Sequence, residues 1–163
     1  MRSRQHASLD CFVIKVGSAK GKVARQRLGD VGAVDDLAGT DLLLLRVKQA
    51  SCDGRATWER IRERIDCTQW AAPVLVDDRG QPHYPSGSIS VRFERALSDA
   101  ELEEFASRCG LRVCGRNEFV AEQATFEPLR PHQTYLPELI DSILHEKGVV
   151  LAWPNTLSRY TRR

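Results

Sequence analysis

Polar and apolar residues alternate along Ser88-Ile89-Ser90-Val91-Arg92-Phe93-Glu94, the period-two signature of a strand with one buried face. The pattern then changes to a helical one. In Leu97-Ser98-Asp99-Ala100-Glu101-Leu102, Ser98 and Glu101 have the spacing of a capping box. Leu97 and Leu102 can close a hydrophobic staple across it. Leu102, Phe105, Ala106 and Cys109 continue at helical spacing and Gly110 stands where a C-cap belongs, so a helix is predicted over 99–109. Residues 111–114 and 123–127 read as strands. Thr134 is the expected cap of a second helix, with Pro137 tolerated in its first turn. Leu136, Leu139, Ile140, Ile143 and Leu144 form its apolar face, and Gly148 is its expected stop. Val149-Val150-Leu151-Ala152-Trp153 is the last strand, ended by Pro154.

The first half follows the same order with a different texture. Cys11-Phe12-Val13-Ile14-Lys15-Val16 is a strand, and a weak helix carries Val23, Ala24, Arg27 and Leu28 up to Gly29. A strand is expected over 31–37 and a stronger one over 41–47, where an unbroken apolar run implies burial on both faces. Asp53 can cap a helix reaching Ile65, with Trp58, Ile61 and Ile65 on one face. Residues 70–76 form a strand, with Pro73 near its start. Each half therefore reads β-α-β-β-α-β, the split β-α-β or ferredoxin-like unit. The expected fold is α+β: two ferredoxin-like halves packed together, repeating in architecture rather than in residues. The expected boundaries are a flexible N-terminus (1–10), half 1 (11–77), a turn-rich linker (78–87), half 2 (88–155) and an extended basic tail (156–163).

Three pieces of the second half carry a resemblance: Gly87-Ser88-Ile89-Ser90-Val91-Arg92-Phe93, then Leu97-Ser98-Asp99-Ala100-Glu101-Leu102 with Cys109-Gly110-Leu111, and Gly148-Val149-Val150-Leu151-Ala152-Trp153-Pro154-Asn155. This stretch resembles the propeptide domains of subtilisin-like serine proteases, which act as inhibitors and intramolecular chaperones. The resemblance implies that the sheet packs on a protease and that the segment after the last strand enters the active-site cleft. There it would lie extended and add main-chain hydrogen bonds to a substrate-binding edge. Leu157, Ser158, Arg159 and Tyr160 occupy that place. It further implies that the connection between the second and third strands meets helix N-termini of the protease. Asn117 and Glu118 lie in that connection, and a carboxylate suits a helix N-terminus. The implied function is a non-catalytic partner of a subtilisin-like protease supplied in trans, as inhibitor, folding chaperone or adaptor. Two other readings compete: a small-ligand regulatory module, or a structural subunit of an assembly.

Composition narrows the field. The net charge of +2 gives no global case for nucleic acid or an anionic membrane. Arg2, Arg4, Arg159, Arg162 and Arg163 carry five of the positive charges, so the body between them stands at −3. There is no apolar run long enough for a transmembrane helix, and the basic start lacks a signal peptide's apolar stretch. Five cysteines without a Cys-x-x-Cys suggest reduced thiols in a cytoplasm. The loop over 17–22 resembles a phosphate loop only loosely. Three residues separate its glycines, and Val23 follows Lys22 where a P-loop needs a hydroxyl for magnesium. On the second predicted helix Arg55, Arg60, Arg62 and Arg64 alternate with Glu59 and Glu63. Spacings such as Glu59 with Arg62 and Glu63 with Arg60 indicate a solvated, ion-paired face. His6, His83, His132 and His145 are scattered, so no metal site or cofactor is expected. Phe119 and Phe126 are the second half's candidates for stacking on RNA bases, and core packing is the favoured role for both.

Overall fold

The computed structural model describes residues 5–16, 21–49, 51–66 and 69–157. The fold is mixed α and β, with four helices and eight strands among the described residues. The chain divides into two compact units. The first is Met1–Pro85 with Thr156–Arg163, and the second is Ser86–Asn155.

The first unit contains β1 (Gln5–Lys15), α1 (Gly21–Leu28), β2 (Gly32–Asp36), β3 (Leu42–Val47), α2 (Gly54–Arg62), β4 (Trp70–Asp77) and the start of β5 (Pro82–Phe93). Its strands lie in the order β2-β3-β1-β4, each pair of neighbours antiparallel. The apolar runs are buried residue after residue: Phe12, Val13 and Ile14 on β1, Leu42 and Leu43 on β3, Ala71 and Ala72 on β4. Successive strand residues point to opposite faces, so both faces of this sheet are buried, as the continuous run on β3 implied. Gly32 has a steric reason to be glycine: a Cβ there would sit 2.1 Å from the Arg46 carbonyl oxygen. Asp53 caps α2, its carboxylate accepting from the Arg55 amide at 2.9 Å. That helix ends at Arg62 rather than reaching Ile65. Trp58 is fully buried and donates its ring N–H to the Ala71 carbonyl at 3.0 Å, pinning α2 to β4.

Two expectations for this region are corrected. Residues from Gln5 to Asp10 belong to β1 and are not a flexible end: Gln5, His6 and Ala7 pair with Asp77, Val76 and Leu75. Main-chain pairing needs no apolar side chains, which is why the pattern missed it. Between Ala7 and Phe12 the register slips, and Ser8 Oγ accepts from the amides of Asp10 and Cys11 across this irregularity. The supposed linker is mostly strand. Asp77 Oδ1 accepts from the amides of Arg79 and Gln81, both at 2.9 Å, which closes a tight turn. β5 begins directly afterwards at Pro82, pairing its first residues with β4 (Leu75 with His83, Val76 with Pro82).

The second unit holds the rest of β5, α3 (Asp99–Cys109), β6 (Leu111–Arg116), β7 (Gln123–Pro128), α4 (Leu136–Leu144) and β8 (Val149–Leu157) as far as Asn155. Its strand order is β8-β5-β7-β6. The capping box of Ser98 and Glu101 is present, and Gly110 takes the left-handed conformation (φ 67°) that ends α3. Ile89, Val91 and Phe93 face inward with Ala124 and Phe126 of β7. Phe105 brings α3 onto that face, its ring centroid 5.0 Å from Phe93 and 5.3 Å from Phe126. Phe126 thus packs in the core, as expected. On α4 the buried residues are Leu136 and Ile143, whereas Ile140 is half-buried and Leu144 exposed. The cap of α4 also differs: Tyr135 holds that position without a side-chain bond, while Thr134 donates its hydroxyl to the Arg130 carbonyl at 2.8 Å. β8 does not stop at Pro154 but continues to Leu157.

Candidate functional site

The second unit's sheet has one apolar and one polar face. Ile89, Val91 and Phe93 point one way, so Ser86, Ser88, Ser90 and Arg92 point the other. Opposite them on β7 stand Thr125, paired with Ser90, and Gln123, paired with Arg92. On β6 Arg112 pairs with Glu127 and holds its carboxylate at 2.5 Å.

At one edge of this face β5 and β8 are joined by side chains. Asn155 Nδ2 donates to Ser88 Oγ at 2.9 Å, and Ser90 Oγ donates to Asn155 Oδ1 at 2.8 Å. Ser86 Oγ donates to the Asn155 carbonyl at 3.2 Å and lies 3.2 Å from Ser88 Oγ. Ser90 is only 4 % exposed, so these bonds satisfy groups removed from water. Alternation pointed to the serines as a polar face, but nothing local in the sequence linked them to an asparagine 65 or more residues away.

The connection between β6 and β7 is a tight hairpin tip. Asn117 Oδ1 accepts from the amides of Phe119 (2.9 Å) and Val120 (3.1 Å), an Asx-type turn. The Asn117 amide donates to Gln123 O, and the Gln123 amide to Val120 O. Asn117, expected to meet a partner, therefore has its side-chain oxygen committed within the tip. Glu118 is exposed, as that expectation requires. Phe119 overturns its expected core role: it is 93 % exposed, at the summit of the turn. An asparagine two positions before an aromatic, with no period around either, was the available signal.

Of the tail residues, Leu157 ends β8 and is 37 % exposed. It belongs to the first unit, where it lines a cavity of about 720 Å³ with Val16, Gly21, Asp36, Asp41 and Leu43. Ser158, Arg159 and Tyr160 lie outside the described residues, as do 17–20 of the glycine-lysine loop. The polar groups on this cavity include two carboxylates. Asp36 is paired with Arg25, and Asp41 lies 3.8 Å from the Lys15 amine.

The titratable groups are arranged for structure. Burial pushes the Cys11, Cys109 and Cys114 thiols up, away from the thiolate form a nucleophile needs. Hydrogen bonds from Arg95, and then from the Ser98 amide, hold the Glu101 carboxyl down to about 2. The Gln81 amide bond, with further help from His83 and the Arg79 amide, keeps Asp77 below the usual carboxylate range. His83 Nε2 lies 3.3 Å from Asp77, and His145 Nδ1 lies 2.7 Å from the Asp141 carbonyl oxygen. On α2, Glu59 takes Arg55 at 3.1 Å and Arg62 lies over the Trp58 ring; past the helix end, Arg64 reaches Asp30. Among the described residues no group of three His, Cys, Asp or Glu side chains could hold a metal. No described helix is long and apolar enough to cross a membrane.

No family model matches this chain, and no curated protein matches it.

Proposed function

We propose that this chain is a non-catalytic, propeptide-like partner of a subtilisin-like serine protease, binding it in trans as inhibitor, folding chaperone or adaptor. In this reading both units are ferredoxin-like, and the second is the propeptide-like one. The strand orders β2-β3-β1-β4 and β8-β5-β7-β6 support it, since each sets the two central strands of a split β-α-β unit beside each other. The observation that carries the functional reading is the second unit's polar sheet face, flanked by the hairpin tip at 117–122 and by the outgoing end of β8. A propeptide-like domain would present that face to a protease. Glu118 would meet a helix N-terminus, and Phe119 would supply an apolar anchor on a turn already ordered by Asn117. Leu157, Ser158, Arg159 and Tyr160 would then run along the substrate cleft. A cytoplasmic location and the lack of any cofactor belong to the same reading.

The test is inhibition of several subtilisin-like proteases by the full chain and by a chain ending at Thr156. The expected result is inhibition by the full chain alone, with weaker binding kept by the shorter one. Equal inhibition by both would remove the tail from the mechanism. The cavity of the first unit supports a second reading, a regulatory module for a small ligand. Its lining includes Asp36 and Asp41, each already paired with a cation, beside the apolar Val16, Leu43 and Leu157. Recovery of a discrete small molecule with the purified protein would favour that reading.

A further inference from the structure

The hydrogen bonds of Asn155 lie where the second unit closes on itself. Ser86 is the first residue of that unit and Asn155 the last, and Ser86 Oγ donates to the Asn155 carbonyl. The Asn155 side chain spends its oxygen on Ser90 and its amide on Ser88, so both ends of one planar group are tied to β5. Pro154, just before it, has no N–H to give to strand pairing.

We infer that Asn155 is a positioning residue: with Ser88 and Ser90 it clamps β8 at its last residue in the second unit and so fixes where the chain leaves that unit toward a partner. This rests on the proposed function, because a clamp matters for binding only if the outgoing segment binds. A segment anchored at its first residue loses less freedom on docking than one that must order itself. The chemistry required of residue 155 is specific. Asparagine accepts from Ser90 and donates to Ser88 at once, whereas aspartate has acceptors only and would need the Ser88 hydroxyl to turn and donate.

The experiment compares Asn155→Ala and Ser88→Ala in the full chain and in the chain ending at Thr156, with amide exchange of the free proteins alongside. In the full chain Asn155→Ala should weaken protease inhibition about tenfold or more, the scale of two lost hydrogen bonds, and Ser88→Ala should weaken it less. In the shortened chain each change should lower the residual binding by less than it lowers inhibition by the full chain. A purely structural role would lower both equally, and that result would overturn the inference. In the free protein Asn155→Ala should quicken exchange at Thr156 and Leu157 and leave Ile89 and Val91 unchanged. Unchanged exchange at Thr156 and Leu157 would dismiss the clamp whatever the partner. If exchange quickens but the unaltered chain binds no subtilisin-like protease, the functional reading fails and the positioning role falls with it.

Discussion

β1 of the first unit buries Phe12, Val13 and Ile14 in succession, while β5 of the second alternates Ile89, Val91 and Phe93 with Ser88, Ser90 and Arg92. The helices and the order of the strands correspond in the two units; the second sheet face does not. A sheet buried on both faces gains stability from each and has neither to offer. A sheet with serines, threonine and an arginine–glutamate pair on one face gives up that apolar burial; Ser90 is buried in its bond to Asn155, while Arg92 and Arg112 stay exposed where a polar partner can meet them. Units whose strand orders correspond therefore need not share a function. In the proposed function the second unit supplies the recognition face, and the tail from Leu157, which belongs to the first, enters the cleft.

The sharpest way to break this comparison is to place one charge on the second face of each sheet. Val13→Asp buries an unpaired carboxylate and should cost more than about 4 kcal/mol, enough to lose the fold. Thr125→Asp, on the polar face, should cost less than about 1 kcal/mol. Comparable melting for both variants would show that the two faces do not differ as described. Next in size are the cores proper. Trp58→Ala in the first unit and Phe105→Ala in the second should each cost about 3–5 kcal/mol in denaturant titrations, since each opens a cavity under a helix. Trp58→Ala also orphans the Ala71 carbonyl.

A smaller effect separates the units by binding rather than stability. Phe119→Ala should leave the melting midpoint within about 1 °C, because a residue 93 % exposed contributes little to folding. It should weaken protease binding by about 2 kcal/mol, a Kd increase of some thirtyfold. Val23→Ala, at the half-exposed Val23 of the first unit, should change neither. The smallest effect is electrostatic. Glu101 has its folded value lowered from 4.5 to about 2. Its contribution is thus complete above about 4.5 and is lost as pH falls toward 2. Thermal melts of Glu101→Gln should lie slightly below those of the unaltered chain at pH 7 and converge with them near pH 2.

Features set by local chemistry were legible in the sequence. The capping box at Ser98 and Glu101, the stop at Gly110 and the cap at Asp53 depend on neighbours within a turn, and each stands where its spacing placed it. Features set by pairing across the chain were not. Gln5 to Asp10 join β1 because Asp77, Val76 and Leu75 offer main-chain partners. Pro82 and Pro85 sit within β5 although they read as turn formers. At the site, the serine face followed from alternation alone. Its link to Asn155, and the exposure of Phe119, depended on long-range register and on an Asx turn that apolar periodicity does not report.

Side-chain oxidation footprinting, with and without a subtilisin-like protease, tests most directly whether the hairpin tip at 117–122 and the end of β8 carry the partner surface. Phe119 and Leu157 are exposed reporters of the proposed contact, and Leu9 and Val23 are exposed reporters away from it, on β1 and α1. The account predicts protection of Phe119 and Leu157 in the complex, with Leu9 and Val23 oxidised as in the free protein. Protection confined to Leu9 and Val23, or at none of the four with any of several such proteases at saturating concentration, would contradict it.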